Sequence, residues 1–192
     1  MTDATDATDA TDATEPATTM STWEAISTKR AVRTFAQRSL EPEHLDRILH
    51  AGRRAGSSKN LQRWDFIVAR DRGHLEELSK VGPYAGHLAG AAVGVALVTP
   101  DPAAADAPLS VMFDLGQAAE NMMLAAWELG IGSVPATVYD QDLARRLLGY
   151  PGTHHCEYIL SFGYPAESAA LSRPNKAGGR KPLDEMVHEE RW

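Results

Sequence analysis

The chain is 192 residues long, 43% hydrophobic and 23% charged, the proportions of a soluble globular protein with one domain. No apolar run approaches the roughly 20 residues that span a bilayer, and the single cysteine, Cys156, excludes an intrachain disulfide and a thiolate metal framework. Five of the acids behind the net charge of −7, from Asp3 to Glu15, fall in the first fifteen residues, so the remainder is nearly neutral and shows no electrostatic signature of a nucleic-acid partner.

Residues 2–13 are four copies of Thr-Asp-Ala, a period that fits neither helix nor strand. Residues 1–20 therefore read as a disordered tail ahead of one domain over 21–192. No basic region followed by an apolar core opens the chain, and a cytoplasmic location is the expectation. Ser21 and Glu24 have the spacing of a capping box and predict a short helix through about Ser27. Lys29-Arg30-Ala31-Val32-Arg33-Thr34-Phe35 then places three cations in five residues, ordinarily a solvated face. From Pro42, a first-turn proline, Leu45, Ile48, Leu49 and Gly52 recur at helical spacing, and this amphipathic helix is expected to end near Gly56.

Next comes Ser57-Ser58-Lys59-Asn60-Leu61-Gln62-Arg63-Trp64-Asp65-Phe66, running into Ile67-Val68-Ala69-Arg70. Its start is small and polar, and its end is an aromatic and β-branched run that predicts a buried strand. Asn60 and Gln62 can each donate and accept, which suits a flat heterocycle with mixed edges better than a simple anion. A plain helix-to-strand turn would use the same residue types.

Asp71 to Val81 reads as a helix broken by Gly82-Pro83, and Ala91 to Val98 as a central strand. After a proline-rich loop, Leu109 to Leu129 reads as a long helix. With Met112, Leu115, Ala119, Met122, Met123 and Ala126 it is apolar around most of its circumference, as a helix buried between two subunits would be. Gly130-Ile131-Gly132-Ser133-Val134-Pro135-Ala136-Thr137 reads as a loop. It has no third glycine and follows a helix, so it is not a dinucleotide fingerprint. Asp140 is placed to cap a helix bearing Leu143, Leu147 and Leu148, and Glu157 to Phe162 reads as a strand closed by Gly163-Tyr164-Pro165. His154-His155-Cys156 alternate in direction along extended chain and have no fourth ligand nearby, so no metal site is expected. The chain closes with a basic knot on two glycines, Gly178-Gly179-Arg180-Lys181, able to bind phosphate, and an arm whose Met186, Val187 and Trp192 call for packing.

Several of these segments, in this order, resemble the FMN-dependent nitroreductase family. They are Ser-Ser-x-Asn-x-Gln-x-Trp-x-Phe at 57–66, the basic cluster ending in Arg33-Thr34-Phe35, Gly-x-Gly-Ser-Val-Pro at 130–135, Gly163-Tyr164-Pro165 and the arginine at 180. The resemblance covers the chain from about Trp23 onward. It implies FMN held by Ser58, Lys59, Asn60 and Gln62, with Lys29, Arg30, Arg180 and Lys181 at the phosphate, Ala31 in the same basic segment, and Arg33 at the pyrimidine edge. By the same resemblance Pro135, Ala136 and Thr137 pass beneath the reactive centre, a backbone N–H near Thr137 faces N5, and the C-terminal arm wraps a partner subunit. The family more often has Arg at position 29, Ser at 31, Pro at 63, in some members an acid at 137, and Lys at 178; here those places hold Lys29, Ala31, Arg63, Thr137 and Gly178.

No nucleophile elbow, phosphate-binding P-loop, H-E-x-x-H or paired-cysteine motif occurs. A flavin enzyme needs few reacting side chains, because the cofactor carries the chemistry. The expectation is an α+β fold, a mixed and mostly antiparallel sheet flanked by helices, assembled as an intertwined homodimer. It would take hydride from NAD(P)H to FMN and pass it by a ping-pong route to a nitroaromatic, quinone or flavin acceptor. A specialised branch of the fold (dehalogenation or flavin fragmentation) and a non-catalytic flavin-binding module are the alternatives. No catalytic side chain, metal, membrane or nucleic-acid partner is expected.

Overall fold

The computed structural model describes residues 20–172 and 179–192. The first helix, α1 (Thr22–Thr28), starts where Ser21 Oγ accepts the Glu24 N–H at 3.1 Å. Helix α2 (Pro42–Arg53) follows, then a 3₁₀ turn (Ser58–Asn60) and strand β1 (Asp65–Ala69). Helix α3 (Arg72–Leu78) is capped by Asp71, and a 3₁₀ turn (Gly86–Gly90) leads into β2 (Val93–Pro100). The long helix α4 (Ser110–Glu128), strand β3 (Gly132–Thr137), helix α5 (Gln141–Leu148) and strand β4 (His154–Gly163) complete the body.

The four strands form one sheet in the order β1-β2-β4-β3, and every ladder is antiparallel. A single isolated bridge, Ala31 to Ser133, is parallel. Strand β2 lies inside the sheet and is buried over its first seven residues, which is why it reads as a continuous run of small and β-branched residues. Val93, Val95 and Leu97 meet Leu45 and Ile48 of α2 and Leu115 and Met122 of α4. Ala96 and Val98 meet Leu75 and Leu78 of α3 and Ala144 of α5 on the other face. Each large side chain so buried contributes roughly 1.5–3 kcal/mol. Helices α2 and α4 pack closely because a Cβ at Gly52 would collide with Met122.

Two expectations change. Residues 132–137, expected as a loop, are an edge strand: Gly132 pairs with Gly163 and Thr137 with Tyr158. An edge strand tolerates Pro135 where a central one would lose a ladder bond. The long helix is also less symmetric than its composition suggests. Leu115, Met122, Met123 and Ala126 bury into the core of their own chain, while Leu109 and Phe113 stand 102% and 72% exposed. Its open face runs along Leu109, Phe113, Gly116 and Glu120, spaced by four, three and four residues as one helical stripe.

Candidate functional site

The loop after α2 holds three non-glycine residues in the left-handed region: Lys59 (φ 54°), Asn60 (φ 54°) and Gln62 (φ 45°). Such conformations cost of order 1–3 kcal/mol each and persist only where the surroundings over-determine them. Here the ties are specific. Asn60 N–H donates to Ser57 O (3.0 Å), Leu61 N–H to Ser58 O (3.1 Å), and Gln62 N–H to Ser57 Oγ (3.0 Å). Gln62 Nε2 reaches Asn60 Oδ1 at 3.1 Å. The loop is fastened to α4 by Asp114, whose Oδ2 accepts the Ser58 N–H at 2.9 Å. The result presents Ser58, Lys59, Asn60 and Gln62 as an exposed, fixed array of donors and acceptors.

Asp114 is 7% exposed and was missed by sequence reasoning. The available signal was an ionisable residue in the middle of an apolar helix face. Removing its carboxylate strands the Ser58 N–H, so Asp114→Ala is expected to lower stability by about 1–3 kcal/mol. Asp114→Asn keeps an acceptor oxygen and should recover most of that loss in urea unfolding; equal loss in both variants would show that the hydrogen bond does not hold the loop.

The second cluster lies at the far edge of the sheet. Val32 N–H donates to Ser133 O (3.1 Å), Ala36 N–H to Tyr164 O (2.8 Å) and Ala166 N–H to Thr34 O (3.1 Å). The segment therefore crosses the start of β3 and meets the chain that leaves β4, burying Val32 and Phe35 and leaving Ala31 and Arg33 exposed. A cavity of about 200 Å³ there is lined by Ala31, Arg33, Thr34 and Glu167, among others. On β3, Pro135 is exposed, Thr137 is half-buried and Ala136 points into the core, so at Ala136 only the backbone can meet a ligand. A second unforeseen residue stands here. His87 Nδ1 is 2.7 Å from Ser161 Oγ, and burial, then the nearby Arg33, hold its pKa below the ordinary histidine value, with a hydrogen bond to the Pro135 carbonyl opposing them.

Lys29 pairs with Glu120 of α4 at 3.6 Å. The Arg30 guanidinium turns back onto the carbonyls of Ser27, Thr28 and Lys29 at 3.2, 2.7 and 3.0 Å, and it lines a separate cavity with Trp127 and Leu171. Arg180 and Lys181 are exposed, as is every residue from 179 to 192; Gly178 lies outside the described residues. The structure thus brings Ala31, Arg33, Pro135 and Thr137 to one sheet edge and keeps Ser58–Gln62 as a separate loop. Among the described residues no hydrogen bond or ion pair joins these two groups. Helix α4 holds the loop through Asp114 and pairs with Lys29, two residues before Ala31, through Glu120; six residues separate these two acids, about 9 Å along the axis and about 120° around it.

Among the described residues no three His, Cys, Asp or Glu side chains cluster as metal ligands. His155 pairs with Glu157 at 2.8 Å, and burial pushes the Cys156 thiol up to about 12, which leaves it protonated at neutral pH. No helix among the described residues is long and apolar enough to cross a membrane.

Comparison with known proteins gives one consistent relationship. The nitroreductase family matches residues 26–85 and 80–164. A protein of Archaeoglobus fulgidus, provisionally named NADH dehydrogenase/NAD(P)H nitroreductase, is 34% identical over 172 residues, spanning 87% of this chain and 96% of that protein. The solved structure of an FMN-dependent nitroreductase from Clostridium difficile superposes with a TM-score of 0.74 at 27% identity, over 88% of this chain and 98% of the other. An NADPH:FMN oxidoreductase from Vibrio harveyi, solved with NAD+, gives a TM-score of 0.77 at 23% identity over 88% and 77% of the two chains, and shows the shared fold.

Proposed function

The chain belongs to the nitroreductase family and is an NAD(P)H-dependent flavin oxidoreductase; from that premise we propose that its flavin is FMN, bound in two equivalent sites that a homodimer completes. The observation that carries this reading is the strained loop at Lys59–Gln62, fixed from beneath by Asp114 with its polar side chains held outward. Strain of that kind marks ligand-binding segments, and the amide pair Asn60 and Gln62 fits the mixed donor and acceptor edge of an isoalloxazine ring. In one chain this loop and the Arg33–Pro135 edge are held as separate groups, which suits a site that a second copy closes.

Two exposed features support that assembly. The arm from 179 to 192 leaves Leu183, Met186 and Val187 more than half exposed and Trp192 fully so. At the opposite edge of the sheet, β1 flanks a groove of about 420 Å³ with an apolar floor of Leu49, Trp64, Phe66 and Val68 and a mixed-charge rim of Asp46, His50, Arg53 and Asp65. An arm from a second copy would cover such apolar surface with Leu183, Met186 and Val187.

Two-electron transfer from NAD(P)H, then release of the nicotinamide and reduction of a nitroaromatic, quinone or flavin acceptor in the same place, is the chemistry FMN supplies when bound. The chain's own residues hold and tune the cofactor. Ser58, Lys59, Asn60 and Gln62 would hold the ring, with Arg33 adding positive charge at its pyrimidine edge, where reduction gathers negative charge. The backbone of Pro135, Ala136 and Thr137, beside Ala31, would support the reactive centre. Lys29, Arg180 and Lys181 would hold the phosphate. The Arg30 guanidinium, already engaged by three carbonyls, would support that grip from behind. Steady-state oxidation of NADH and NADPH with menadione or a nitrofuran tests the proposal. Turnover with alternating, ping-pong kinetics is expected; a protein that binds FMN without turnover would be a flavin-binding module instead.

A further inference from the structure

We propose that Tyr84 and Tyr139 form an aromatic wall beside the reactive centre, which holds the flat, electron-poor ring of the acceptor and sets the preference among acceptors. The inference rests on the reading that Pro135 to Thr137 support that centre. Its geometry starts with the alternation along β3. Val134, Ala136 and Val138 are buried, whereas Pro135 and Tyr139 are exposed and Thr137 is half-buried. The ladder continues past the end of the strand, because the Val138 N–H donates to Glu157 O at 2.9 Å. Tyr139 therefore stands on the same face as Pro135 and Thr137, about 7 Å beyond Thr137. The backbone agrees. The Tyr139 N–H donates away from β4, to Val81 O at 2.8 Å, and the Thr137 N–H two residues earlier points to that same edge.

Tyr84 reaches this place on a tight turn in which the Ala85 N–H donates to Gly82 O at 3.1 Å. Val81 and Ala85, on either side of the turn, are fully buried. Gly82 lies so close to the end of β3 that a Cβ there would stand 2.7 Å from Thr137 O and 2.8 Å from Tyr139 Cδ2. Both tyrosines thus project from fixed backbone, yet they remain 73% and 62% exposed. Their ring centroids are 6.5 Å apart and their planes are tilted by 58°. An open cleft of about 660 Å³, lined by Gly82, Pro83 and Tyr139 among others, lies alongside. That is the size of a small-molecule site. An aromatic face carries the negative part of the ring's quadrupole. It therefore attracts a ring whose own density is withdrawn by nitro or carbonyl groups, the property that also makes such a ring an electron acceptor.

Steady-state kinetics of the FMN-loaded protein with NADPH test the assignment, using menadione and ferricyanide as acceptors. Menadione has a flat ring to stack and ferricyanide has none. Tyr84→Ala and Tyr139→Ala should each lower the ratio of kcat/KM for menadione to that for ferricyanide by about 2- to 10-fold. Tyr84→Phe and Tyr139→Phe keep the ring and should keep the parent's ratio. A change of fold or of flavin content would move both acceptors together and leave the ratio where it was. An unchanged ratio in the alanine variants, or phenylalanine variants that fall as far as alanine, would overturn the proposal. A parent protein that binds no FMN in titration would instead overturn the site reading, and this inference with it.

Discussion

Arg180→Ala is expected to weaken FMN binding by one to two decades and to leave riboflavin binding nearly unchanged. Arg180 follows Gly179 on an arm that is exposed along its whole described length, and neither Arg180 nor Lys181 forms an ion pair among the described residues. Two cations left free on an exposed segment suit a ligand that brings its own negative charge. A charge-assisted contact of this kind is worth roughly 1.5–3 kcal/mol, or about one to two decades in affinity. Riboflavin shares the ring and the ribityl chain but lacks the phosphate, so the loss should be selective. Added salt should narrow the gap between variant and parent, because screening weakens a partly exposed charged contact. Equal weakening of both flavins would mean that Arg180 shapes the pocket in general and does not grip the phosphate.

Phe113→Glu should convert the proposed homodimer to monomer and release the flavin while the subunit stays folded. Phe113 lies on the open stripe of α4 with Leu109, outside the packed core of its own chain. Its burial against a second copy would be worth about 1.5–3 kcal/mol in each protomer. A carboxylate at that place must also be desolvated without a partner, which adds several kcal/mol more. Twofold symmetry applies the penalty twice. Light scattering should report the loss of the dimer, and the variant's circular dichroism should match the parent's. Met122→Lys is not an equivalent test. Met122 is fully buried against Gly52 and α2, so a lysine there would unfold the subunit before it could report on any interface. A Phe113→Glu protein that remains dimeric and retains flavin would place the interface elsewhere.

The sequence carried the helices well because their apolar spacing and caps are local signals: Ser21 caps α1 and Asp140 caps α5 as their residue types suggest. Strand β2 was legible for the same reason. Strand β3 was not, because glycine and proline suppress a strand signal that only pairing with β4 restores. The long helix misled in one respect. Composition shows that α4 is apolar, but only the packing shows that its methionines belong to the subunit core and that Phe113 does not. In the site, the resemblance picked out the residues that present polar groups to solvent, Ser58 to Gln62 and Arg33. It gave no hint of the residue that holds the loop, because Asp114 acts from 56 residues away in the chain. Arg30 shows the opposite limit: a cation in a basic cluster can be engaged by its own helix terminus, and charge patterning does not reveal that.

Sedimentation velocity of the purified, FMN-saturated protein, followed in the visible flavin band, tests the central claim most directly. One flavin per chain should travel with a species of twice the 20.8 kDa chain mass, and none should remain on the single chain. Flavin bound to a 20.8 kDa species, or a dimer that carries no flavin, would contradict a site that two copies build together.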